Sequence, residues 1–144
     1  MADWNTLSTD RSQRLQAAAK LAKGRLVRSQ DVVPLLEAVL RPGDRVCLEG
    51  NNQKQADFLA ECLTRVDPAR VHDLHMVQSV LSLPSHLDVF EKGIARKLDF
   101  SFSGPQSVRL ARLLGEGRLE LGAIHTYLEL FGRYFIDLTP RVAL

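Results

Sequence analysis

A chain of 144 residues has the length of one domain and can bury about two-thirds of its unfolded surface, so it folds without disulfide staples. Its 45% hydrophobic and 25% charged residues exclude disordered, collagen-like and coiled-coil chains, and no apolar run is long enough to span a membrane. A net charge of +2, from 19 Lys and Arg against 17 Asp and Glu, is too balanced to point to nucleic acid.

The first residues, MADWNTLSTDR, lack the basic start and apolar core of a signal peptide, which points to the cytoplasm. Charge is uneven along the chain. Residues 1–30 hold six basic and two acidic side chains, and the remainder holds 13 and 15. A basic first helix would suit an acidic partner or serve only as a solvated face. Cys47 and Cys62 are too few for a disulfide framework and read as small buried apolar groups with free thiols.

Residues 8–24 read as a helix, capped by Ser8 or Thr9, striped by Leu15, Ala18, Ala19 and Ala22, and stopped at Gly24. A second helix is expected from Ser29 to Leu40, with Val32, Val33, Leu36 and Val39 as its apolar face. Pro34 then falls in the first turn, where a missing N–H does no harm. Arg41-Pro42-Gly43-Asp44 is a turn.

From there the period changes. Residues 45–49 read as a short strand, residues 50–52 as a loop, and residues 53–66 as an amphipathic helix with a capping box from Asn52 and Gln55. Residues 70–77 read as the next strand. Ser85 and Asp88 have capping-box spacing for a short helix running to about Gly93. Residues 97–102 alternate, with Leu98, Phe100 and Phe102 on one face and Asp99 and Ser101 on the other. Ser103 caps, and Pro105 opens, a helix that ends near Leu114 with Gly115 as its stop. A strand over 118–124 follows, then a helix to Gly132 capped by Thr126 and Glu129. Residues 137–144 begin an apolar, strand-like run. Strands alternating with helices imply an α/β fold, a mainly parallel sheet flanked by helices. Residues 1–42 form an N-terminal helical extension, and residues 43–144 form the α/β part.

Most signatures of chemistry are absent. There is no phosphate loop, and Gly115-x-Gly117 follows a helix, the reverse of a dinucleotide fingerprint. His72 and His75, three apart on a strand, point to opposite faces and make a poor metal pair. Ser101-Phe102-Ser103-Gly104 lacks the first glycine of a nucleophile elbow. What remains is positional, because ligands of open α/β sheets gather at the carboxyl ends of strands. The polar strand ends are Glu49–Lys54, Gln78-Ser79 and Ser103–Gln106. The candidate binding residues are Gly50, Asn51, Asn52, Gln53, Lys54, Ser103, Gly104 and Gln106, where amides and helix-start N–H groups can donate to an oxyanion or carbonyl.

Four stretches carry a more specific resemblance: residues 43–58, Val71–Val77, Leu98–Gly104 and Gly122–Gly132. In order, they resemble the N-terminal part of the alpha subunit of malonate decarboxylase, itself similar to coenzyme A transferases and acetyl-CoA hydrolases. The resemblance covers the whole chain and about the first quarter of the family's polypeptide. It implies a coenzyme A transferase-like fold and an acyl-carrier-protein transferase that exchanges acetyl for malonyl on the carrier thiol. The carrier arm, phosphoribosyl-dephospho-CoA, would be substrate, with no cofactor bound covalently and no metal. The partners implied are the acyl carrier protein, the decarboxylase subunits, malonate and acetate, without nucleic acid or membrane. Coenzyme A transferases attack the thioester with a glutamate. No position here matches that motif, Glu49 included, so the nucleophile is expected beyond Leu144, and this chain alone is expected to be inactive. An unfinished sheet would leave an apolar edge for a homodimer or another chain to cover. The alternatives are a fragment of an acetyl-CoA hydrolase or coenzyme A transferase, or a non-catalytic docking module using Arg11, Arg14, Lys20, Lys23, Arg25 and Arg28.

Overall fold

The computed structural model describes residues 4–48, 56–126, 128–129 and 142–143. The chain opens with helix α1 (Trp4–Ala19) and a turn of 3-10 helix over Ser29–Asp31 that leads into α2 (Val32–Val39). It then alternates: β1 (Arg45–Cys47), α3 (Asp57–Leu63), β2 (Leu74–Val80), α4 (Ser85–Glu91), β3 (Ala95–Phe102), a 3-10 turn over Gly104–Gln106, α5 (Ser107–Gly115), β4 (Glu120–Ile124) and β5 (Val142–Ala143). The strands form one sheet in the order β4-β3-β2-β1-β5, and every pairing is parallel. The expected α/β class is therefore the observed one.

Each step from β1 to β4 moves one strand in the same direction, and right-handed crossovers put α3, α4 and α5 on one face. The helices touch in sequence, α1 on α2, α2 on α3, α3 on α4 and α4 on α5, so they make one layer. The core lies between that layer and the sheet. Val46, Met76 and Leu98 stand side by side in register across β1, β2 and β3, and all three are fully buried. Val32, Leu36 and Leu40 join the same core, which ties α2 to the sheet through a continuous apolar stripe. Among the described residues no helix is long and apolar enough to cross a membrane.

Several boundaries differ from the sequence reading. Helix α1 begins earlier and ends at Ala19. Gly24, with φ +62, is not its stop but lies in the two-residue turn between Lys23 and Leu26, whose backbones exchange bonds of 2.8 and 3.1 Å. Strand β2 starts at Leu74 rather than residue 70, because the amides of Arg70 and Val71 fold back onto the Asp67 carbonyl. Helix α5 is closed by Gly117, not Gly115. The Gly117 and Arg118 amides bond to the Leu114 and Leu113 carbonyls, a closure that needs the left-handed φ of +67 found at Gly117.

The capping boxes divide. Thr126 and Glu129 form theirs: the Thr126 amide donates to Glu129 Oε2 at 2.8 Å, and the Glu129 amide donates back to Thr126 Oγ1 at 3.3 Å. Ser85 and Asp88 do not, since α4 starts without a side-chain cap bond. Asp88 instead receives Arg109 of α5 at 2.5 Å, in a network where Glu91 takes Arg109 and Arg112, each at 2.6 Å. This contact clamps α4 to α5. Asn52 and Gln55, and the helix end expected at Gly132, lie outside the described residues. Cys62 is buried as expected, and burial pushes its thiol up, whereas Cys47 is only half-buried.

Strand β4 is one edge of the sheet. Leu121 and Ile124 are exposed there, as are Phe102 and Val108 at the neighbouring strand end and helix start. Phe102 thus follows the alternation of β3 but, at 62% exposure, does not enter the core with Leu98 and Phe100.

Candidate functional site

The strand order has one reversal. After β1 the chain moves toward β2, and β5 lies on the other flank of β1. Loops that leave such neighbours diverge, and a crevice opens outside their carboxyl ends. The segment leaving β1 at this reversal is the one that carries Gly50, Asn51, Asn52, Gln53 and Lys54. Those five residues lie outside the described residues. Its anchor is Leu48, which is buried and whose amide donates to the Val77 carbonyl at 3.1 Å.

Ser103, Gly104 and Gln106 are at the carboxyl end of β3, as the sequence placed them. Ser103 precedes the 3-10 turn without a side-chain cap bond. Its hydroxyl is instead 2.7 Å from that of Ser107, which donates to the Gly104 carbonyl at 2.8 Å. Gly104 packs against the loop that follows β2. A Cβ built there would be 3.5 Å from both the Leu81 carbonyl oxygen and Val80 Cγ1. The Leu81 amide donates to the Phe102 carbonyl at 3.0 Å. The structure therefore joins the ends of β2 and β3 into one rim, with Gln106 half-buried at its far side.

Beneath this rim is a residue whose importance the sequence understated. Gln78 lies within β2, opposite Phe100, rather than in a strand-end loop with Ser79. It is fully buried, and neither its Nε2 nor its Oε1 has a hydrogen-bond partner. The Ser82 hydroxyl, in the loop after β2, is likewise buried without a partner. So is Nε2 of His86, in the first turn of α4. Burial pushes the His86 imidazole below its ordinary value, and the Val80 carbonyl pulls weakly the other way. His86 is therefore neutral near pH 7.

The opposite face of the sheet carries a second polar group. His75 Nε2 of β2 lies 3.0 Å from Asp99 Oδ1 of β3, an ion-pair distance without an aligned N–H. The β3–β4 ladder shifts register between Leu98 and Phe100. This bulge aims the Ala123 amide at Asp99 Oδ1, 2.9 Å away. Gly122 makes room, since a Cβ there would stand 2.0 Å from the same oxygen. Burial acts to raise the Asp99 carboxyl, but the His75 contact, the Ala123 amide and the Arg45 charge outweigh it and hold it below its ordinary value. The alternation of β3 signalled that Asp99 faces away from Leu98. A glycine inside a strand signals close approach, so both halves of this group were readable, although their meeting was not.

His72 and His75 do not share a site: His72 Nδ1 pairs with Asp73 at 2.8 Å, outside the strand. Among the described residues no three His, Cys, Asp or Glu side chains are grouped to hold a metal. The basic N-terminal set also changes. Arg14 is buried and internal. It pairs with Asp44 through both terminal nitrogens, with Asp10 at 2.8 Å, and donates to the Val39 carbonyl at 2.7 Å. Arg28 pairs with Asp31 at 2.6 Å. Arg11, Lys20, Lys23 and Arg25 remain exposed. Lys20 and Lys23 line a groove of about 640 Å³ with Leu26 and Val27.

Comparison with known proteins gives consistent results. The profile of a family described as malonate decarboxylase, alpha subunit, transporter matches residues 3–144. An acetyl-S-ACP:malonate ACP transferase of Malonomonas rubra is 63% identical over 142 residues, 98% of this chain. The malonate decarboxylase alpha subunit of Acinetobacter baumannii superposes with a TM-score of 0.93 at 49% identity over 98% of this chain. A chain of a Pseudomonas malonate decarboxylase hetero-tetramer, solved in complex with malonate, superposes with a TM-score of 0.93 at 56% identity over 97% of this chain. In each case the chain spans 26% of the relative's own length.

Proposed function

Because the chain belongs to the malonate decarboxylase alpha-subunit family, we propose that it is the N-terminal portion of an acyl-carrier-protein transferase working in the cytoplasm. The reaction exchanges acyl groups on one sulfur: acetyl-S-carrier and malonate give malonyl-S-carrier and acetate. The thiol never leaves the carrier, and one carboxylate replaces another, so no redox partner is required. The carrier's phosphoribosyl-dephospho-CoA arm is a substrate here. The carrier and the decarboxylase subunits are the partners.

The observation that carries this reading is the 63% identity to a transferase of that specificity, extending over 98% of the chain. The topology supports it, because β1, which residues 50–54 follow in sequence, lies at the reversal of strand order. Four of the described glutamates are engaged by other groups. Glu37 holds Arg70, Glu91 holds Arg109, Glu120 holds Arg96, and Glu129 closes a helix cap. The attacking glutamate is proposed to lie in the part of the longer relatives that this chain does not match. This chain's share is to bind and orient: Asn51 and Asn52 donate amides toward the acyl oxygen, and Ser103, Gly104 and Gln106 shape the neighbouring rim.

The test is Asn51→Ala combined with Asn52→Ala in the full-length protein that carries this sequence. Transfer of acetyl from loaded carrier to malonate should fall about a hundred-fold, the size typical of losing an oxyanion donor. An unchanged rate refutes the role of the loop. Transfer from free acetyl-CoA as fast as from carrier would favour the coenzyme A transferase alternative.

A further inference from the structure

Two of the six basic side chains in residues 1–30 are used inside the fold, Arg14 on Asp44 and Arg28 on Asp31. Arg11, Lys20, Lys23 and Arg25 are exposed. Lys20, Lys23 and Arg25 fall together just after α1 ends at Ala19, and none of the three has a carboxylate partner among the described residues.

These cations surround an apolar hollow. Lys20 and Lys23 border a groove of about 640 Å³ whose walls include Leu21, Ala22, Leu26 and Val27. Leu26 is 77% exposed, yet its backbone is fixed. Its amide and carbonyl bond to Lys23 at 3.1 and 2.8 Å. Gly24 supplies the left-handed φ of +62 that the turn needs, and Val27, next in the chain, packs against the core. A lone exposed leucine is ordinary. A leucine held on a rigid turn, lining an apolar groove with cations beside it, has the arrangement of a docking surface, an apolar centre within a charged rim.

Charge and shape select the occupant. The Arg28–Asp31 pair cancels within the lining, so Lys20 and Lys23, with Arg25 next to them, leave the groove positive. The complementary surface is acidic. A concave apolar floor is filled by a protruding apolar side chain, which an amphipathic helix presents. An anionic bilayer supplies the charge but not the protruding group. A net charge of +2 over the whole chain gives nucleic acid no broad field to follow.

We propose that Lys20, Lys23 and Leu26 dock an acidic amphipathic helix of another subunit of the decarboxylase assembly. The proposal rests on the multisubunit reading above and names the face through which this chain joins the assembly. No residue of the strand-end rim lines the groove, so acyl transfer and docking are separate tasks.

The test measures binding of the separately purified carrier protein and decarboxylase subunits to the full-length protein that carries this sequence, by biolayer interferometry at low and high salt. The variants are Lys20→Glu with Lys23→Glu, Leu26→Asp, and Arg11→Glu as an exposed control that does not line the groove. Thermal denaturation follows folding, and the Tm should hold because all four residues are exposed. One subunit should bind, with a Kd weakened about ten-fold or more by the lysine pair and by Leu26→Asp. High salt should weaken binding to the unsubstituted protein and matter little to the lysine variant. Arg11→Glu should bind as the unsubstituted protein does. Equal binding by all the proteins overturns the groove alone, and so does an equal loss in Arg11→Glu, the mark of diffuse charge. Unchanged subunit binding, with the groove variants instead losing adhesion to phosphatidylserine-containing vesicles, overturns the proposal in favour of a membrane surface. No subunit bound by the unsubstituted protein overturns both the docking face and the multisubunit reading beneath it.

Discussion

Arg14 is held in a buried ion pair with Asp44. Arg14 is 9% exposed and Asp44 is 6% exposed. The pair joins α1 to the turn that launches β1, and Asp44 also accepts the Arg41 amide at 2.8 Å. Replacing Asp44 with Ala strands a buried guanidinium and a backbone N–H together. Breaking a buried pair from one side destabilises by about 3–5 kcal/mol. Arg14 keeps Asp10 and the Val39 carbonyl, so the lower end applies, about 3 kcal/mol. For a chain of this length that is a Tm drop of roughly 9 °C. The double variant Arg14→Met with Asp44→Ala removes both charges and should lose much less than the sum of the single changes, with a coupling of about 2 kcal/mol. Thermal unfolding followed by circular dichroism on the four proteins measures this. A single-variant loss below about 1 kcal/mol, or strict additivity, would refute the strut and return Arg14 to the surface.

Two glycines should separate by mechanism. Gly122→Ala drives a methyl into the Asp99 carboxylate and breaks its Ala123 hydrogen bond, a loss of about 3 kcal/mol in denaturant titration; Gly117→Ala, with open space around its Cβ, should lose only about 1 kcal/mol through its left-handed backbone. Equal losses would contradict the close approach at Gly122. Stability should also fall as pH drops below 6.5, the ordinary value of a histidine. His86 is depressed in the folded protein, so the unfolded chain takes up the proton first; His86→Gln should flatten the slope in that window. Glu91 acts at lower pH. The Arg109 hydrogen bond lowers its carboxyl, so its contribution is full above its ordinary value of 4.5 and is lost as pH falls through the lowered one. Arg109→Met should shrink that acid limb of the pH–stability curve, with Arg112 still holding Glu91.

The elements that were legible share a physical cause. The alternation of Leu98, Asp99, Phe100 and Ser101 fixes β3 because a strand's two faces differ in burial, and Pro34 and the Thr126–Glu129 pair mark helix starts through local bonds. The boundaries that moved depend on tertiary contacts. Asp88 has capping spacing, yet Arg109, 21 residues later, takes it instead. Gly115 and Gly117 are equal candidates in sequence until one of them adopts the left-handed backbone. The site was legible as a position, the carboxyl ends of the strands. Its buried part was not, because nothing local distinguishes Gln78 from a solvated strand-end residue. Only the sheet shows that its amide is enclosed and unpartnered.

The proposed activity is acyl exchange on a carrier thiol. Its most direct test incubates the full-length protein that carries this sequence with acetyl-loaded carrier and malonate, and reads the carrier's intact mass. The acetyl adduct should give way to the malonyl adduct while acetate appears in equal amount. Free carrier thiol accumulating with acetate, without malonyl adduct, would contradict it and show hydrolysis instead.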